Sequence, residues 1–109
     1  MNRPKIAIGM HGKGQIWNGH FGMAPLYYIY APDGELLEKR VNPYGAGGGR
    51  HKHHDDPDLV VDLLPECGVF IARRMGQKSK LRLRQELGIQ TVITTETKAP
   101  AAIEAYLVE

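Results

Sequence analysis

The side chains able to bind metal sit unevenly along the chain. All five histidines lie in its first half: His11, His20, His51, His53 and His54. Imidazole suits zinc, copper, iron and nickel, and its neutral, ligating form is abundant near pH 7. His11 and His20 bracket a loop that carries Gly12, Gly14 and Gly19. A second cluster, His51-Lys52-His53-His54-Asp55-Asp56, follows Gly45, Gly47, Gly48 and Gly49, a run supple enough to fold the cluster over a nearby site. Two readings of that cluster stay open. It is either a divalent-metal site for zinc or nickel, built from His51, His53, His54 and Asp55 with His11 or His20 completing the shell, or a solvated polar loop. For His20 the alternatives are a ligand and an ordinary loop histidine.

Other chemistry is excluded by what is missing. No Gly-x-x-x-x-Gly-Lys-Ser/Thr occurs, so there is no P-loop, and Gly12-Lys13-Gly14 lacks the third spaced glycine of a dinucleotide fingerprint. Cys67 is the one cysteine, which leaves no Cys-x-x-Cys pair and no internal disulfide; before an apolar run it reads as a small buried residue. Ser79 is the one serine, and no Gly-x-Ser-x-Gly elbow surrounds it. Apart from Glu35 and Glu38 the acids fall on expected loops and helices, which argues against a magnesium nuclease.

Elements that must position these residues follow from length and pattern. At 109 residues, 42% hydrophobic and 24% charged, the chain fits one domain over residues 1–109. No apolar run approaches the roughly 20 residues that span a bilayer, and the start lacks a signal-peptide core. With a single cysteine, a cytoplasmic location is expected. The net charge of +2 hides asymmetry: residues 71–90 carry six cations against Glu86 alone, whereas residues 51–70 carry five acids against Lys52. The 73–84 stretch is either a surface that attracts an anion or an acidic partner protein, or a solvated helix face.

Strands are predicted at 5–10, 26–30, 35–41, 68–72 and 90–94. Pro32-Asp33-Gly34 makes the second and third an antiparallel hairpin. Tyr44–Asp56 reads as a flexible loop. Asp56-Pro57 opens a helix ended by Pro65, Ser79 caps a second that ends at Gly88, and 100–107 is a third with Ile103, Tyr106 and Leu107 inward. Helices alternating with strands give a parallel βαβ half. The expected fold is α/β: a mixed five-stranded sheet with helices packed on it.

One stretch carries a family signature. Asn18-Gly19-His20-Phe21-Gly22-Met23-Ala24-Pro25, leading into Leu26-Tyr-Tyr-Ile-Tyr30, resembles the His-Phe-Gly-x-Ala element of the dinitrogenase iron–molybdenum cofactor-binding family, with its NifX-like carriers and NifB C-terminal-like domains. The Asp33-Gly34 turn, Asn42-Pro43, the Ala72-x-x-Met-Gly76 turn and the C-terminal helix are similar as well, so the resemblance spans nearly the whole chain. It implies a ribonuclease H-like fold without nuclease activity. It also implies a small carrier, not an enzyme, for an iron–sulfur or iron–molybdenum-type cluster or its precursor. Its partners would be cofactor donor and recipient proteins. The resemblance makes His20 the principal ligand, with Gly19 and Gly22 leaving room beside it. His11 and Gly12 belong to the cradle, and Arg74 and Met75 to the rim; Phe21 reads as a core anchor. Two departures stand out: Arg74 where many relatives have glycine, and the glycine- and histidine-rich insertion at 45–56. Neither nucleic acid nor membrane is expected, since Tyr27, Tyr28 and Tyr30 read as strand core and not as a stacking platform.

Overall fold

Alternation along the first strand sets the architecture. In the computed structural model, which describes residues 4–43 and 57–108, β1 (Lys5–Gly12) points Ile6, Ile8 and Met10 to one face and Ala7 to the other, all buried. A strand buried on both faces needs layers on both sides. The remaining elements supply them: β2 (Gln15–Ile16), a 3₁₀ turn at Phe21–Met23, β3 (Leu26–Tyr30), β4 (Leu36–Val41), α1 (Pro57–Leu63), β5 (Cys67–Ala72), α2 (Gln77–Leu81) running into a π-helical segment at Arg82–Glu86, β6 (Gln90–Ile93) and α3 (Ala99–Val108).

The sheet order is β4-β3-β1-β5-β6, with β2 paired to β1. β3 is antiparallel to β1 and β4, whereas β5 and β6 run parallel to β1. On one face Ala7, Tyr27, Phe70 and Cys67 pack with Val60 and Leu64 from the α1 region, Leu83 of the π segment and Phe21 of the 3₁₀ turn. On the other, Ile6, Ile8, Met10, Tyr28, Tyr30 and Ile71 pack on Ala99, Ala102 and Ile103 of α3. Each large buried side chain of this kind contributes about 1.5–3 kcal/mol. Tyr27, Tyr28 and Tyr30 are all core, as expected.

Several expectations are corrected. The sheet has six strands, not five: the added β2 is two residues long, folded back by a turn in which Gly12, Lys13 and Gly14 all take positive φ. The second helix starts at Gln77 behind an N-cap at Gly76, so Ser79 is a buried helical residue and not a cap. β6 is an edge strand and not a buried one; Ile93 is 47% exposed. Leu107 is largely exposed, whereas Ile103 is buried as expected. The Asp56 cap, the 44–56 loop and its His51, His53, His54 and Asp55 lie outside the described residues. Among the described residues, no helix is long and apolar enough to cross a membrane.

Candidate functional site

Strand direction gathers the site. β1, β5 and β6 are parallel, so the segments after them, which contain His11, Arg73-Arg74 and Thr94–Lys98, leave the sheet at one edge. Antiparallel β3 begins at that edge, and the Trp17–Pro25 segment that feeds it lies there too. Ligand crevices form outside the carboxyl ends of parallel strands in such sheets.

Backbone hydrogen bonds stitch these segments together. His20 and Arg74 form a parallel bridge in which Phe21 N–H donates to the Arg74 carbonyl at 3.1 Å. Trp17 N–H donates to the Gly9 carbonyl at 2.9 Å, and Ile16 N–H to the Thr97 carbonyl at 2.8 Å. Between them lies a cleft of about 380 Å³ lined by His11, Gln15, Ile16, Trp17, Asn18, Arg73 and Thr97. A hollow of about 230 Å³ lined by Asn18, Arg73 and Arg74 adjoins its Asn18–Arg73 side. A larger groove, about 570 Å³, is lined by Tyr30, Leu36, Ile103 and Leu107 around the β3–β4 turn at the opposite edge, and it holds none of the expected site residues.

The turn after His20 is held firmly. Phe21 is buried, with its ring centroid 4.6 Å from that of Phe70 and 4.9 Å from that of Tyr27. Gly9 of β1 makes room for it: a Cβ there would stand 3.1 Å from the Ala24 Cβ and 3.4 Å from Phe21 Cδ1. Tyr27 Oη donates to the Phe21 carbonyl at 2.8 Å. Buried Asn42 donates through Nδ2 to the Gly22 carbonyl at 3.1 Å and the Ala24 carbonyl at 2.8 Å, and also reaches Tyr27 Oη at 3.1 Å. His20 is thus presented by a turn anchored from β3, β4 and β5.

The expected site residues divide as follows. His20 is half-buried beside exposed Arg74, and exposed His11 lies in the cleft. Gly12 belongs to the positive-φ turn beyond it. Gly19 does not leave open room, because the Trp17 indole fills it: an added Cβ would meet Trp17 Nε1 at 2.7 Å. Gly22 is buried under Asn42. Met75 is half-buried and packs against the core cluster of this face. Sequence reasoning passed over Trp17, Asn18, Thr97 and Asn42 as site residues. A lone tryptophan inside a glycine-rich loop was the available signal for Trp17.

Charge and donors dominate the edge. Arg73, Arg74, Lys13 and Lys98 surround it, and Glu96 is the acid next to Thr97 in the chain. Among the described residues neither Arg73 nor Arg74 is in an ion pair. Arg82, farther along the basic stretch, is by contrast paired with Asp58 and Glu86. Among the described residues Trp17 Nε1 is buried with no hydrogen-bond partner, a state that costs about 1–3 kcal/mol. Ligands for a bare metal ion are scarce. Among the described residues no three of His, Cys, Asp and Glu gather as a metal would need. Cys67 is buried away from the edge, and burial pushes its thiol up to about 12. The described residues at this edge thus offer guanidinium cations, an amide and imidazoles.

Comparison with known proteins settles the lineage. Residues 3–109 match the family model described as dinitrogenase iron-molybdenum cofactor. The chain belongs to that family. No curated protein sequence matches it. Among solved structures, the apo form of the orange protein from Desulfovibrio gigas is similar at 18% identity and a TM-score of 0.75, covering 98% of this chain and 89% of that one. An NMR structure of a putative NifB protein from Thermotoga, described as belonging to the DUF35 family, is similar at 21% identity and a TM-score of 0.65, covering 94% and 85%. At these identities the likeness shows a shared mixed α/β fold. The family membership gives the chain a cofactor-related role.

Proposed function

We propose that this chain is a non-catalytic carrier that holds an anionic metal–sulfur cluster, of iron–sulfur or iron–molybdenum type, or its precursor, at the His20–Arg74 edge. The cluster is cargo and not a resident catalyst. The observation that supports the reading is the backbone pairing of His20 with Arg74, which makes these two residues from two loops neighbours. Bound cargo would meet His20 or His11 as the imidazole donor. Arg73 and Arg74 supply charge, and the Asn18 amide supplies hydrogen bonds. Hydrogen bonds and charge around a cluster are the levers by which a protein tunes it. A guanidinium rim is also a good place to receive anions without trapping them, since exposed charge pairs are individually weak.

The ribonuclease H-like reading of the fold is supported by the order β4-β3-β1-β5-β6 with β3 antiparallel. A reducing compartment suits both a free Cys67 and a sulfide-bearing cargo. Donor and recipient proteins would approach the same edge.

The test is a footprint. Amide shifts of the ¹⁵N-labelled chain are followed while a thiomolybdate or reconstituted iron–sulfur cluster is added without oxygen. Perturbation confined to residues 11–22, 72–76 and 94–98 is expected. Perturbation elsewhere, or none, removes the reading.

A further inference from the structure

Trp17 is the one tryptophan in the chain, and the proposal above gives it no task. Its backbone is fixed by the bond to Gly9, and that of its neighbour Ile16 by the bond to Thr97. Its side chain packs partly against the core cluster beneath the cleft. The ring lies nearly parallel to the His11 imidazole, with centroids 5.7 Å apart and 12° between planes. Its pyrrole nitrogen, Nε1, is seated against Gly19, where even a methyl group would stand 2.7 Å away. In that seat the indole N–H is buried and bonds to nothing, although the same residue lines the cleft with Asn18 and Arg73. An indole nitrogen is a donor only, so its need can be met by an acceptor and by nothing else.

We infer that Trp17 is the movable donor of the cleft and a specificity-determining residue for its cargo. In this structure its N–H is parked over Gly19. A bound anion with sulfide or oxide acceptors draws the indole round by its side-chain torsions and receives that N–H. The stack on His11 holds the parked position and the unmet donor works against it, so an anion whose acceptor satisfies the N–H selects the turned position by that differential contact. Because a donor rewards acceptor atoms and not charge alone, Trp17 favours a thio- or oxoanion over a halide of equal charge. The inference rests on the cleft being the cargo site.

Tetrathiomolybdate, the probe, is titrated calorimetrically without oxygen into the full chain and into Trp17→Phe and Gly19→Ala. Phe keeps a ring over His11 and loses the donor. Binding about tenfold weaker than wild type is expected in a chain that remains folded, as for one hydrogen bond to a charged acceptor. Gly19→Ala evicts the ring from its parked seat. Iodide quenching of Trp17 fluorescence should rise in the folded variant, since the ring is displaced toward solvent. Equal affinity of wild type and Trp17→Phe overturns the inference and leaves the carrier reading standing. Unchanged quenching in a folded Gly19→Ala protein overturns the movable part. Failure of the wild type to bind removes the carrier reading, and the inference with it.

Discussion

Phe21 donates its backbone N–H to the carbonyl of Arg74 at 3.1 Å. That bond pairs His20 and Arg74, residues 54 positions apart in sequence, as neighbours on one rim. Main chain and not side chain makes the connection, so either side chain can be removed while the rim keeps its shape. The site can therefore be dissected one group at a time.

Removing the imidazole is the first dissection. His20→Ala is expected to lose cluster binding at least tenfold while unfolding free energy falls by no more than about 1 kcal/mol. Anaerobic cluster reconstitution beside denaturant titration measures both. Equal binding, or a chain that no longer folds, contradicts the role given to His20.

Removing the guanidinium tests charge. Arg74 is exposed and its carbonyl, not its side chain, holds Phe21. Arg74→Ala should weaken anion binding and flatten its dependence on salt, because screening acts on the charge that is gone. Thermal stability should stay within about 0.5 kcal/mol of wild type. A salt dependence identical to that of the parent places the anion elsewhere.

Asn42 is expected to matter through the turn it holds. Asn42→Ala leaves the Gly22 and Ala24 carbonyls without their donor and should cost about 1–3 kcal/mol. Amide exchange at Met23 and Ala24 should accelerate more than at β5. Uniform acceleration would mean that Asn42 supports the whole sheet and not this turn.

The far side of the molecule makes a pH prediction. Arg40 bonds to Glu66 at 2.7 Å and to the carbonyl of Leu63, tying β4 to the end of α1. The Arg40 hydrogen bond holds the Glu66 carboxyl below its ordinary range, against the opposing effect of burial. A depressed folded-state pKa gives stability that is present above the unfolded value and lost as pH falls through the folded one. The stability gap between wild type and Arg40→Met should therefore be widest near neutrality and narrow as pH drops below about 4. Denaturant titrations at pH 7, 5, 4 and 3 check this; a gap constant with pH contradicts it.

The elements that surround the site were largely legible, and their meeting was not. β1, β3 and β5 show as apolar runs, and Pro57 and Gly88 mark helix ends that the structure keeps. β2 was hidden because two residues have no periodicity, and only the positive-φ turn at 12–14 folds them back on β1. Edge strands misread as buried, such as β6, carry the same β-branched residues as central ones; position in the sheet decides their exposure. His20 stood out through its motif. Its partnership with Arg74 follows from β5 lying parallel to β1, and no local spacing encodes that. Gly19 illustrates the same limit: a missing side chain reads as open space, yet Trp17 occupies it.

The most direct measurement is metal and acid-labile sulfide content of the untagged protein purified without oxygen, wild type beside the His20→Ala/Arg74→Ala double variant. The account predicts iron or molybdenum with sulfide in the wild type, lost from a double variant that remains folded. Metal without sulfide, or a cluster retained in full by the double variant, would contradict it.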